Sequence, residues 1–61
     1  MEQQIFKFAD LDDGDESLVI VRPVDGGVGL AMSKSADGDF EVFVPADIAT
    51  RIGDALRDAA K

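Results

Sequence analysis

Four short segments in which apolar and polar residues alternate, each ended by a glycine or proline signal, confine this chain to a small antiparallel sheet. Gln3 to Ala9 sets Gln4, Phe6 and Phe8 against Ile5, Lys7 and Ala9, the period of two that a short strand shows. Ser17 to Val24 is the strongest apolar run and is apolar on both faces, with Leu18, Ile20 and Val24 on one and Val19 and Val21 on the other. Pro23 cannot donate to a ladder, so it belongs at an edge, a bulge or the strand end. Asp25-Gly26-Gly27 then reverses the chain into Val28 to Lys34, where Val28, Leu30 and Met32 alternate with Gly29, Ala31 and Ser33. Asp37-Gly38 is a hairpin signal that leads into Phe40 to Val44, with Phe40, Val42 and Val44 facing one way and Glu41 and Phe43 the other. Four strands joined by short turns imply a meander.

Pro45 suits the first helical position, where its missing N–H would be unpaired in any case, and Asp47 complements the positive end of the helix dipole. The expected helix runs from about Pro45 to Ala60. Ile48, Ile52, Ala55, Leu56 and Ala59 recur at helical spacing on one face, opposite Asp47, Arg51, Asp54 and Asp58. Ile48, Ile52 and Leu56 are the candidate core residues. Gly53 costs about 1 kcal/mol relative to Ala in a helix, so it either marks a close backbone approach shared with Ala49 or is simply tolerated. The expected fold is α+β, ββββα in one domain over residues 1–61, with the helix packed on one face of the sheet.

A chain of 61 residues buries only about 60% of the surface that its unfolded form exposes, so its core is small. Chains of this size often add disulfides, zinc or a partner, and here there is neither Cys nor His. The same absences, with that of Tyr, remove the commonest general base, thiol and phenol, and the serines and Thr50 have no partner base. Paired carboxylates would need one member buried to raise its pKa, whereas these acids fall in turns. The expectation is a protein that is not an enzyme and needs no cofactor.

Charge says more. Thirteen Asp and Glu against six Lys and Arg give a formal net charge of −7. Direct binding to nucleic acid or to an anionic membrane would meet repulsion, while a basic protein surface would be attracted. No apolar run approaches the roughly 20 residues of a membrane helix, and MEQQIFKF lacks the basic start and apolar core of a leader, so cytoplasm is the default expectation.

The densest acidity is Asp10 to Glu16, which carries Asp10, Asp12, Asp13, Asp15 and Glu16 with no basic residue inside the run. Its oxygens suggest a calcium loop, but taking Gly14 as the sixth position puts Ala9 and Leu11 where the first and third ligands belong. No metal site is expected. VDGGVG is a turn, since no GK[ST] follows it. Two readings of the acids stay open: ordinary solvated loop charges, or an anionic contact surface. Asp37, Asp39 and Glu41 lie two apart on a strand, about 6.6 Å from one to the next. Asp54 and Asp58 lie four apart on a helix, about 6 Å along its axis. Both spacings approach that of neighbouring phosphates on a nucleic-acid strand.

In its length, its acidity and stretches such as DLDDGDE and ADGDFE, the chain resembles small phage-encoded inhibitors, particularly DNA-mimicking anti-CRISPR proteins. The resemblance implies a protein that blocks a basic nucleic-acid-binding surface of a partner through Asp10, Asp12, Asp13, Asp15, Glu16, Asp37, Asp39, Glu41, Asp54 and Asp58. The ββββα order is also similar to a single-stranded-DNA-binding transcriptional coactivator fold that uses its open sheet face. Here that face is expected to carry Lys7, Val19, Val21, Ala31, Glu41 and Phe43, too few cations and aromatics for the task. The alternative is a homodimeric structural or assembly subunit, joined through the second sheet face or the Ala49/Gly53 face of the helix.

Overall fold

A computed structural model describes residues 2–35 and 38–61. It has the expected order: β1 (Gln4–Ala9), β2 (Glu16–Val24), β3 (Gly27–Lys34), β4 (Gly38–Pro45) and one helix, α1 (Ala46–Ala59). The strands form a single antiparallel sheet in the order β1-β2-β3-β4. Gly26, at φ +79°, takes the left-handed position of the β2–β3 turn, which only a residue without Cβ occupies freely. The turn pairs Val24 with Gly27 and so fixes the register of every later rung.

That register corrects the expected faces. Phe6 pairs with Val19, Val19 with Met32 and Met32 with Phe40, while Val21 pairs with Leu30 and Leu30 with Val42. Since partners in a rung share a face, Val19 and Val21 lie on the helix side with Phe6, Leu30 and Met32. The open face instead carries Leu18 and Ile20 with Lys7, Ala31, Glu41 and Phe43. β2 is apolar on both sides, so its own pattern carries no information about which side meets the helix.

Pro45 closes β4 and caps the helix with φ −58° and ψ 151°, one residue outside the first helical position. Its extended backbone turns the chain, and the Ala46 N–H donates to the Gly26 carbonyl at 3.0 Å, tying the start of α1 to the β2–β3 turn. Asp47 stands in the first turn and Arg57 in the last, each matched to the dipole there. No helix among the described residues is long and apolar enough to cross a membrane.

The helix lies against β3 and β4 and leaves β1 and β2 uncovered on the same side. As a result, no hydrophobic residue among those described is fully buried. Of the expected core residues, Ile48 and Ile52 remain about a third exposed and Leu56 is 66% exposed. A one-layer sheet half covered by one short helix has nothing with which to close over them.

Candidate functional site

The acidic loop is built by its own side chains. Asp10 Oδ1 accepts from the backbone N–H of Asp12 at 2.8 Å and of Asp13 at 3.3 Å, and Asp13 Oδ1 accepts from the Asp15 N–H at 2.9 Å. Such local acceptors are what make Asp a turn residue. Asp10 N–H donates to the Asp15 carbonyl and Gly14 N–H to the Asp10 carbonyl, with Gly14 at φ +76°. Ser17, the one buried polar residue among those described, anchors the exit by donating its hydroxyl to the Asp15 carbonyl.

A cation from another strand completes the loop. Lys34 Nζ, on β3, lies 2.7 Å from Asp13 Oδ2 and 3.2 Å from Asp10 Oδ2. The run contains no basic residue in sequence, yet the fold supplies one. Backbone N–H donors, Asp12 first, and the Lys34 ammonium hold the Asp10 carboxyl below its ordinary range. Lys34 and then the Asp15 N–H do the same for Asp13, and the two carboxylates raise Lys34.

These shifts give a pH window. Carboxyls with lowered folded pKa values contribute stability above the ordinary 3.8 and lose it as pH falls through the folded values. Lys34, raised, contributes below the ordinary 10.5 and loses it as pH rises through its folded value. The clamp is therefore intact between those two limits. Lys34→Gln is expected to raise the Asp10 and Asp13 titration midpoints and to speed amide exchange at Asp12 and Asp15. Carboxyl titrations by NMR check this, and midpoints identical to those of the parent would refute the clamp.

The other candidate acids are placed differently. The β1–β2 loop and the start of β4 share one end of the sheet, because the Ser35 N–H donates to the Glu16 carbonyl and the preceding Lys34 pairs with Ser17 on one side and Gly38 on the other. Asp39 lies on the same rung as Ser33, Leu18 and Lys7. Asp37 lies outside the described residues. Glu41 sits farther in on the open face and is engaged by Arg22, with Nε–Oε2 at 2.9 Å and Nη2–Oε1 at 3.3 Å. The Arg22 fork holds the Glu41 carboxyl below its ordinary range. Gly29, on the strand between them, leaves the room for this bridge: a Cβ there would come within 3.2 Å of Arg22 Nε and Glu41 Oε2. Arg22 also lies 5.5 Å from the centre of the Phe43 ring. On the helix, Asp54 pairs with Arg57 at 2.6 Å and Asp58 with Lys61 at 3.5 Å. Asp12, Asp15, Glu16 and Asp39 have no ion-pair partner among the described residues.

At the loop end, six carboxylates (Asp10, Asp12, Asp13, Asp15, Glu16 and Asp39) stand against the two ammonium groups of Lys7 and Lys34. Three or more metal-ligating side chains do not converge anywhere among the described residues. The Lys34 ammonium takes the place between Asp10 and Asp13 that a small cation would need.

The second feature, which the sequence reading did not single out, is a cleft of about 510 Å³ between the helix and the uncovered strands. Phe6 and Phe8 form one wall, Leu30 and Met32 the floor, and Ile52 and Leu56 the helix wall, with Ala49 and Gly53 between them. Among the described residues, the lining contains no charged side chain. Its signal in the sequence is the two-residue Asp25-Gly26 turn, whose register puts Val19 and Val21 beside Met32 and Leu30.

No protein family, curated protein or solved structure matches the chain.

Proposed function

We propose that this chain is a small acidic binding protein without catalytic activity that occupies a basic nucleic-acid-binding surface of a partner protein, as a DNA-mimic inhibitor of the anti-CRISPR kind does. The observation that supports this reading is the gathering of the acidic loop and the start of β4 at one end of the sheet. Four carboxylates there have no ion-pair partner among the described residues. Elsewhere the fold spends its cations on acids the sequence offered as contact residues: Arg22 on Glu41, Arg57 on Asp54 and Lys61 on Asp58. The contact surface is accordingly the loop end, and Glu41, Asp54 and Asp58 are secondary to it. A concentrated anionic end attracts basic grooves over roughly a Debye length, about 10 Å at 0.1 M salt.

The test is competition. Purified nucleic-acid-binding effector complexes are presented with labelled DNA or RNA and the chain, at several salt concentrations. Displacement of nucleic acid by the parent chain is expected, weakening with salt. Asp12→Lys combined with Asp39→Lys spares the Lys34 clamp and is expected to weaken displacement at least tenfold, as reversed charges do at complementary interfaces. Undiminished displacement by this variant would defeat the reading.

A further inference from the structure

We propose that the cleft between α1 and the uncovered β1–β2 half of the sheet is the interface of a two-fold homodimer, filled by the helix of a second copy. The proposal stands independently of the acidic loop end.

The area comes first. A folded monomer of 6.5 kDa is expected to expose about 3,800 Å², and this chain exposes 4798 Å². The surplus, about 1,000 Å², compares with the roughly 800 Å² that each partner buries in a standard specific interface. The radius of gyration agrees: 12.4 Å, against about 10.5 Å for a compact chain of this length. A chain without disulfide or metal staples lacks another means of offsetting so much exposed apolar surface.

A second copy fits the shape. α1 covers β3 and β4, so the neighbouring pair of strands has room for one more helix. The chain itself offers a helix with an apolar shoulder, Ile48 and Ala55 beside the cleft residue Ile52, with Arg51 next to them. A two-fold interface requires each chain to supply both members of every contact, here a cleft and a ridge, and this chain has both. Among the described residues the cleft lining is uncharged, so a second chain of net charge −7 meets no acidic group on the cleft side, and the charge beside the incoming ridge is the cation Arg51.

Gly53 supplies an independent observation. A Cβ at this position would meet nothing within 4 Å among the described residues outside its own stretch of helix. Nothing inside the single chain requires a glycine in mid-helix, where it is the worst residue short of proline. With Ala49 one turn away, it lets a second helix approach closely.

Sedimentation equilibrium from about 1 to 500 μM, with thermal unfolding over the same range, tests the proposal. The parent chain is expected at twice its 6.5 kDa mass, with a midpoint temperature that rises with concentration. Gly53→Leu separates the cases by sign. In a monomer it replaces a helix-weakening residue where a Cβ meets open space and adds an apolar side chain to an open cleft, leaving the mass unchanged and the midpoint equal or higher. In the dimer it obstructs the second helix and is expected to raise the dissociation constant at least a hundredfold. A parent chain that stays at 6.5 kDa, folded or unfolded, overturns the dimer, and a Gly53→Leu chain that dimerises as the parent does overturns the placement of the interface.

Discussion

Gly27→Ala is expected to remove most of the protein's stability at 25 °C. Gly27 opens β3, paired with Val24 on one side and Pro45 on the other. A Cβ there would collide with the Val44 carbonyl oxygen and come within 3.0 Å of the Val44 carbonyl carbon and 3.2 Å of Pro45 Cα. All three are backbone atoms, so no side chain can swing aside, and β4 itself must move. That movement would disturb the β3–β4 pairing and the Ala46–Gly26 hydrogen bond that starts the helix. Overpacking typically costs about 1–3 kcal/mol, and a clash with backbone puts this one at the upper end, against a total stability of about 3–5 kcal/mol for a domain of this size. Gly26→Asn is the matched control. Gly26 has a positive φ but open space around it, so the change costs only local strain, about 1 kcal/mol. Far-ultraviolet circular dichroism on thermal unfolding distinguishes them. A Gly27→Ala midpoint within a few degrees of the parent would refute this account of the β3–β4 contact.

The same glycine shows how much of the fold was legible in the sequence. Period-two alternation, the Asp25-Gly26 turn and Pro45 before a helical period carry the ββββα order, because each is a local property of the backbone. The sides of the sheet were not equally legible. β1, β3 and β4 each have a bulky and a bare or mixed face, but β2 offers Leu18 and Ile20 on one side and Val19 and Val21 on the other, chemically equivalent choices. Only the pairing of Val24 with Gly27 decides between them. Taken as a two-residue loop, Asp25-Gly26 would have assigned the faces from sequence.

The candidate site divides along the same line. Turn formation by Asp10 and Asp13 follows from residue type, and the structure builds the loop from their side chains. The Lys34 clamp and the Arg22–Glu41 bridge join residues 21 and 19 positions apart, respectively, and depend on strand register. Charge counting treats all thirteen acids alike. The fold does not: among the described residues it leaves Asp12, Asp15, Glu16 and Asp39 at the loop end without an ion-pair partner, and engages Asp10 and Asp13 through Lys34, and Glu41, Asp54 and Asp58 elsewhere. The helix period likewise identified an apolar face on α1, but it could not report that the sheet beneath is wider than one helix. That width is why Leu56 and the two cleft phenylalanines remain exposed.

Phe6→Ser is the substitution expected to act most strongly on association. Within one chain, the Phe6 ring packs beside Val19 and is 49% exposed. An aromatic side chain buries roughly 150–250 Å² when fully enclosed, so about 100 Å² of this one remains for a second copy to cover. At about 25 cal/mol/Å² that is about 2.5 kcal/mol per ring. Two-fold symmetry presents the ring twice, for about 5 kcal/mol per dimer, and even partial enclosure makes the expected weakening at least a thousandfold. Phe43→Ser removes the same ring from the open face, where Phe43 is 62% exposed and touches Arg22. It lies outside the proposed interface and is expected to leave the mass unchanged. Sedimentation of the two variants beside the parent, at a concentration where the parent is fully associated, reads the difference directly. Dissociation by Phe6→Ser alone places the interface in the cleft. Equal behaviour of the two variants would remove the cleft from the interface, and dissociation by Phe43→Ser alone would move the interface to the opposite face.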